Sequence, residues 1–214
     1  VPERLLRLSV TFVTASQVDV LPQIALLRQD GSEIQGALLD QELWSPDHLT
    51  LTLLLDPGRV KTGLMAHNVA GWALRPGDRV RLQIAGKVKH QWTVTSGGCV
   101  VPDLQTWQIK APQAGTDRPL TVIFTGPIDA QSRDLIAVAN ESGDRIKGKA
   151  QLINGENAWV FTPSVPWRRE HLKLLVHPRL ESPCGDEIGE AFEHAVGQGL
   201  GSQRAALSRW FNID

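Results

Sequence analysis

The stretch Asp56-Pro57-Gly58-Arg59-Val60-Lys61-Thr62-Gly63-Leu64 places Gly58 and Gly63 at the spacing of a phosphate-binding loop. That loop needs Lys followed by Ser or Thr after its second glycine, and here Leu64-Met65 follow, so the phosphate-loop reading fails. What remains is simpler chemistry. Arg59, Lys61 and the glycine amides could hold an anion or a partner's carboxylate, against the plain alternative of a turn that ends a core strand.

Other reactive side chains are scattered. The six histidines, His48, His67, His90, His171, His177 and His194, include no pair at i, i+4, and there is no Cys-x-x-Cys, so no metal site is expected. There is no Gly-x-Ser-x-Gly elbow for a nucleophilic serine, and the carboxylates at Asp186, Glu187 and Glu190 read as a charged turn. The chain is therefore read as non-enzymatic and without cofactors.

Seven tryptophans stand against no tyrosine. Trp92 and Trp159 alternate with apolar residues and are expected in cores, whereas Trp44 and Trp72 lie in loop-like sequence beside Ser45-Pro46 and Gly71. An exposed indole can stack on a sugar ring, so these two join the candidate contact set. The alternative is that they plug loops onto the ends of a sandwich.

The elements that must position these residues are strands. In Leu6-Arg7-Leu8-Ser9-Val10-Thr11-Phe12 every second residue is apolar, and Leu120-Thr121-Val122-Ile123-Phe124 repeats the pattern. The repetition is in register. LSVTF and then Gly31 to Gly36 in the first half recur as LTVIF and Gly143 to Gly148, an offset of 112 residues (Leu8 to Leu120, Gly31 to Gly143). A period this long points to a duplicated domain, not a solenoid. Further strands are expected at 24–27, 34–38, 49–55, 79–84 and 91–95, then at 135–139, 146–152, 158–161 and 172–176. Asp30-Gly31 and Ser142-Gly143 read as tight turns, while Gly36 and Gly148 read as bulges or close backbone approaches in the strands that follow.

Length and composition fit two modest domains. The chain has 214 residues, 42% hydrophobic and 21% charged, with a formal net charge of −1. Nothing there attracts nucleic acid, and no apolar run is long enough for a membrane helix. Two cysteines, Cys99 and Cys184, allow at most one disulfide; they fall near different domain ends in the repeat alignment and are expected as semi-buried thiols. The chain opens Val1-Pro2 without Met, which implies processing, by export or by removal of a tag.

The expected plan is a first Ig-like β-sandwich at 1–96 with an inserted loop at 58–76, an ordered linker at 97–116, and a second sandwich at 117–196. A tail at 197–214 follows, in which Leu207, Trp210 and Phe211 have helical spacing, so a short amphipathic C-terminal helix is expected. Pro102, Pro112, Pro119 and Trp107 are expected to make the linker stiff and anchored.

Val122-Ile123-Phe124-Thr125-Gly126-Pro127-Ile128-Asp129, the LTLLLDPGRVKTGL stretch and the late turn Leu180-Glu181-Ser182-Pro183-Cys184-Gly185-Asp186 together resemble the tandem bacterial Ig-like domains of S-layer proteins, the SbsA-like module. The late turn departs from that pattern, with Ser182 where the family has aspartate and Asp186 where it has asparagine. The resemblance implies an all-β fold of two antiparallel sandwiches and an exported, periplasmic or extracellular bacterial protein. The expected role is a structural or protein-interaction module, with another protein or a cell-surface component as partner. The alternative is a carbohydrate- or peptide-binding protein using the insert. The candidate contact residues are Arg59, Lys61, His67, Asn68, Trp72 and Trp44.

Overall fold

The computed structural model describes residues 1–15, 19–60, 71–188 and 206–214. The chain divides into unit 1, Val1–Cys99, and unit 2, Val100–Asp214. Each is all-β, and each has its own apolar core.

Unit 1 contains β1 (Arg7–Thr11), β2 (Ile24–Leu27), β3 (Leu43–Trp44), β4 (Thr50–Leu54), β5 (Arg79–Ile84) and β6 (Lys87–Thr93). They form two antiparallel sheets, β1-β4-β3 and β2-β5-β6. Alternation sets the inner faces. Leu51 and Leu53 on β4 are fully buried, as is Val80 on β5, while Ser9 meets Thr52 and Thr11 meets Thr50 on the other face of the first sheet.

Unit 2 contains β7 (Gln108–Lys110), β8 (Leu120–Ile123), β9 (Ile136–Ala139), β10 (Gly148–Ile153), β11 (Ala158–Pro163), β12 (Glu170–Val176) and β13 (Leu207–Ile213). Its sheets are β10-β11-β8-β7 and β13-β12-β9. Lettered A to G in chain order, these seven strands pair as DEBA and GFC, the constant-type immunoglobulin arrangement. Unit 1 has the same order from B to G. In place of an edge strand A, its first residues run beside the end of β6: Pro2 bridges Thr95 in parallel, and Glu3 N–H donates to the Thr95 carbonyl at 2.9 Å.

The turn after the C strand repeats bond for bond. In unit 1, Arg28 N–H donates to Ser32 O and Ile34 N–H to Leu26 O; in unit 2, Asn140 N–H donates to Asp144 O and Ile146 N–H to Val138 O. Gly31 (φ 90) and Gly143 (φ 89) both adopt the left-handed backbone that this turn requires.

Four expectations are corrected. The segment 34–38 forms no strand; isolated bridges at Glu33, just before it, and at Leu38 frame a left-handed turn at Gly36 (φ 61), which carries the chain from one sheet to the other. The expected linker 97–116 contains β7, which pairs with β8, and Trp107 lies inside the core of unit 2. The described part of the expected C-terminal helix is β13, paired along its whole length with β12, because the hydrogen-bonding edge of β12 offers its backbone more than an isolated turn of helix does. Both cysteines are disulfide-bonded, not thiols, since distance along the repeat says nothing of distance in space. Gly148 is a close approach as expected: a Cβ there would lie 2.4 Å from the Phe161 ring and from the Thr162 carbonyl.

Candidate functional site

Of the candidate contact residues, Lys61, His67 and Asn68 lie outside the described residues. Arg59 is buried. Asp56 caps the short turn that presents it, accepting from Gly58 N–H at 2.8 Å. The Arg59 guanidinium then reaches backbone carbonyls: Nε donates to Gly71 O at 3.2 Å, Nη1 to Gln35 O, and Nη2 to Trp72 O at 3.5 Å. A buried arginine spread over three carbonyls from two crossing segments holds those segments together. Its chemistry here is positional.

Trp72 is half-buried. Trp44 is half-buried at the end of unit 1, with Phe12 at 5.5 Å and His48 stacked at 5.8 Å between ring centroids. Its Nε1 donates to Glu42 Oε2 at 2.7 Å. Partial burial disfavours the charged form of Glu42, but that indole and the N–H groups of Leu21 and Val20 outweigh it, so the carboxyl sits below its ordinary pKa. Glu42 thus ties β3 to the turn that leads into β2.

Three tryptophans are spent on the core of unit 2. Trp107 packs against Phe124 at 4.5 Å, Trp159 stacks on Phe161 at 5.5 Å, and Trp167 closes the cluster with its Nε1 bonded to Arg118 O at 2.8 Å. Across the edge of this core, Arg209 Nη1 donates to the carbonyls of Leu104, Gln105 and Trp107, the last at 2.6 Å. The late turn is equally structural. Ser182 Oγ donates to Asp186 Oδ2 at 2.9 Å, and Cys184 N–H and Asp186 N–H both point at that hydroxyl. Ser182 and Asp186 build the turn by bonding to each other.

Among the described aromatics, the one that faces solvent is Trp210, which residue spacing groups with Leu207 and Phe211 on a helix face. Trp210 is 42% exposed, on the face of β13-β12-β9 opposite the core. Register explains its position. Leu172, Leu174 and Ile213 point inward, so Lys173 and its cross-strand partner Trp210 point outward, with His171 and Asn212 beside them. His171 stacks on the indole at 4.4 Å, Lys173 Nζ lies 4.2 Å from its ring centroid, and His171 Nδ1 is 3.5 Å from Glu141 Oε1. An indole flanked by a cation and an imidazole, with a carboxylate beside them, offers a rigid amphipathic contact area. The signal lay in alternation: a strand over 207–213 separates Trp210 from Phe211, whereas helical spacing groups them.

One carboxyl is electrostatically strained. Glu156 is half-buried in the β10–β11 turn; its burial, and then the buried Asp129 carboxylate nearby, raise its pKa. Among the described residues no three His, Cys, Asp or Glu side chains gather as metal ligands.

No family model matches the chain, and no curated protein matches it. Among solved structures it is similar to the full ectodomain of mouse nectin-like molecule 4 (Ig1–Ig3), at 10% identity and a TM-score of 0.28, over 98% of this chain and 64% of that one. This chain therefore spans less than two thirds of that ectodomain's length. It is also similar to titin domains Z1Z2 in complex with telethonin (12% identity, TM-score 0.28, 89% of this chain and 80% of that one). A third similarity is to domains 4–9 of the surface layer protein SbsC (13% identity, TM-score 0.25, 97% of this chain and 31% of that one).

Proposed function

We propose that this chain is a non-enzymatic protein-interaction module of duplicated Ig-like sandwiches, exported by a bacterium and related to the S-layer type. The observation that carries the interaction reading is the Trp210 face. A large aromatic held by strand pairing, with Lys173 and His171 against its ring, has the composition of a protein-contact centre and the rigidity to keep its shape. The sandwich interiors are filled by side chains, which leaves surfaces to do the binding.

Export is supported by the disulfide-bonded state of both cysteines, which persists in oxidising compartments. Duplication is supported by the offset of 112 residues between Leu8 and Leu120 and by the common strand order. The S-layer kinship rests on the Val122–Asp129 and Leu180–Asp186 motifs. The insert at 58–76 stays as the second contact region, with Lys61, His67, Asn68 and Trp72 as its candidates and Trp44, outside the insert, as a further one.

The test is cross-linking in the native cell envelope with wild type and with Trp210→Ala. A cross-linked protein partner recovered with wild type and lost with Trp210→Ala, at unchanged thermal stability, is the expected result. A partner retained by Trp210→Ala, or hydrolytic or transfer activity in the purified chain, would overturn the reading.

A further inference from the structure

Unit 1 carries an open groove of about 300 Å³ between β2 and the segment 33–40 that bridges its outer edge at Glu33. Its lining is mixed: the core residues Ile24, Ile34 and Ala37 lie buried beneath it with Leu21 half-buried beside them, and its acidic side chains, Glu33 and Asp40, are both exposed. It has no basic lining residue. A groove of this kind suits an apolar side chain flanked by cations.

The same unit exposes such a segment. The β5–β6 hairpin turns at Ala85 (φ 49) and Gly86 (φ 74) and then presents Lys87-Val88-Lys89, with Val88 49% exposed. The two features sit at one end of one sheet. Ile24, in the groove, is paired with Ile84, which is paired with Lys87, so the groove and the hairpin flank the sheet about 10 Å apart, two strand spacings. Complementary patches side by side on one end can be satisfied twice by a two-fold axis, each copy giving its hairpin and receiving its partner's.

We propose that unit 1 is a self-association module: the Lys87-Val88-Lys89 tip of each copy enters the Glu33/Asp40 groove of a second copy. This contact is independent of the Trp210 face, which belongs to the other unit. It is small, so the dimer is weak and forms at high local concentration, and its charged rim makes it salt-sensitive.

The test is sedimentation velocity of the full chain from about 1 to 500 µM at low and high salt. Wild type is expected to shift towards dimer at the upper end, and less so at high salt. Lys87→Glu with Lys89→Glu sets acid against acid, and Glu33→Lys with Asp40→Lys sets base against base; each weakens association at least tenfold. Mixing these two double variants, or combining all four substitutions in one chain, restores it. All four positions are exposed, and unchanged thermal melts verify the fold. A wild type that stays monomeric overturns the proposal. So does a dimer indifferent to either reversal, or a loss that neither mixing nor combination rescues.

Discussion

Glu156 condenses the residue-scale argument. It ends a run of three left-handed residues, Asn154 (φ 56), Gly155 (φ 60) and Glu156 (φ 60), in the β10–β11 turn. A non-glycine residue there costs about 1–2 kcal/mol, and the turn keeps it because the Glu156 carbonyl accepts from Ile128 N–H at 3.1 Å. The side chain is then carried into a half-buried place near the Asp129 carboxylate, and its pKa rises. The sign follows from proton binding. Between the ordinary glutamate pKa and the raised native value, the native state holds a proton that the unfolded state has lost, so stability falls as pH rises through that window. Glu156→Gln removes the penalty. The variant should melt a few degrees above wild type at pH 7.5, with the difference closing by pH 3, below the ordinary glutamate pKa, where both states of the wild type are protonated. An equal difference at both pH values would show that shape, not charge, decides this position.

The C-terminal segment is where element-scale reading of the sequence failed. Leu207, Trp210 and Phe211 have helical spacing, but Leu207, Phe211 and Ile213 fall on one face of a strand just as well, with Arg209 between them. Seven residues do not separate a period of 3.6 from one of 2, and the deciding term is the β12 edge, distant in sequence. The short β7 was hidden in the same way, a three-residue strand among prolines. The segment 34–38 failed in the opposite sense, apolar at both ends but with Gly36 turning it between sheets. Strands with clear alternation on both sides of a turn, such as β1, β4, β8 and β11, were legible. The candidate contact set was less so, because sequence gives charge but not burial. Arg59 reads as an anion ligand and is spent on carbonyls, while Trp210 was read as part of an apolar helix face and points to solvent. The strand assignment makes a sharp prediction. Ile213→Ala, on the core face, should destabilise by about 2–5 kcal/mol. Trp210→Ala, on the outer face of the same strand, should cost below about 1 kcal/mol. Comparable losses in urea unfolding would mean that the strand is placed in the wrong register.

At the scale of the whole molecule, the two units share one strand order but differ in where they lengthen it. In unit 1 the chain is long between β4 and β5 and turns in two residues between β5 and β6; in unit 2 the β11–β12 connection is short and the β12–β13 connection long. Lengthening a connection leaves the packed strands alone, and its entropic cost grows only slowly with length. The cores also differ in composition. Leu51, Leu53, Val80 and Leu82 fill unit 1 with aliphatic side chains, whereas Trp107, Trp159, Phe161 and Trp167 fill unit 2 with rings, so the same scaffold was packed in two ways. Among the described residues, each core cluster draws on its own unit, which predicts separable folding. A fragment of residues 1–98 and a fragment of residues 100–214 carrying Cys184→Ser should each unfold in one cooperative transition by calorimetry. Each should show a heat-capacity increment of about 1.2–1.5 kcal/mol/K, the value for a domain near a hundred residues. Loss of the disulfide lowers the melting temperatures without abolishing the transitions. A fragment with no transition and a disordered far-UV spectrum would mean that its core is completed from outside, and the division into two self-sufficient sandwiches would have to be given up.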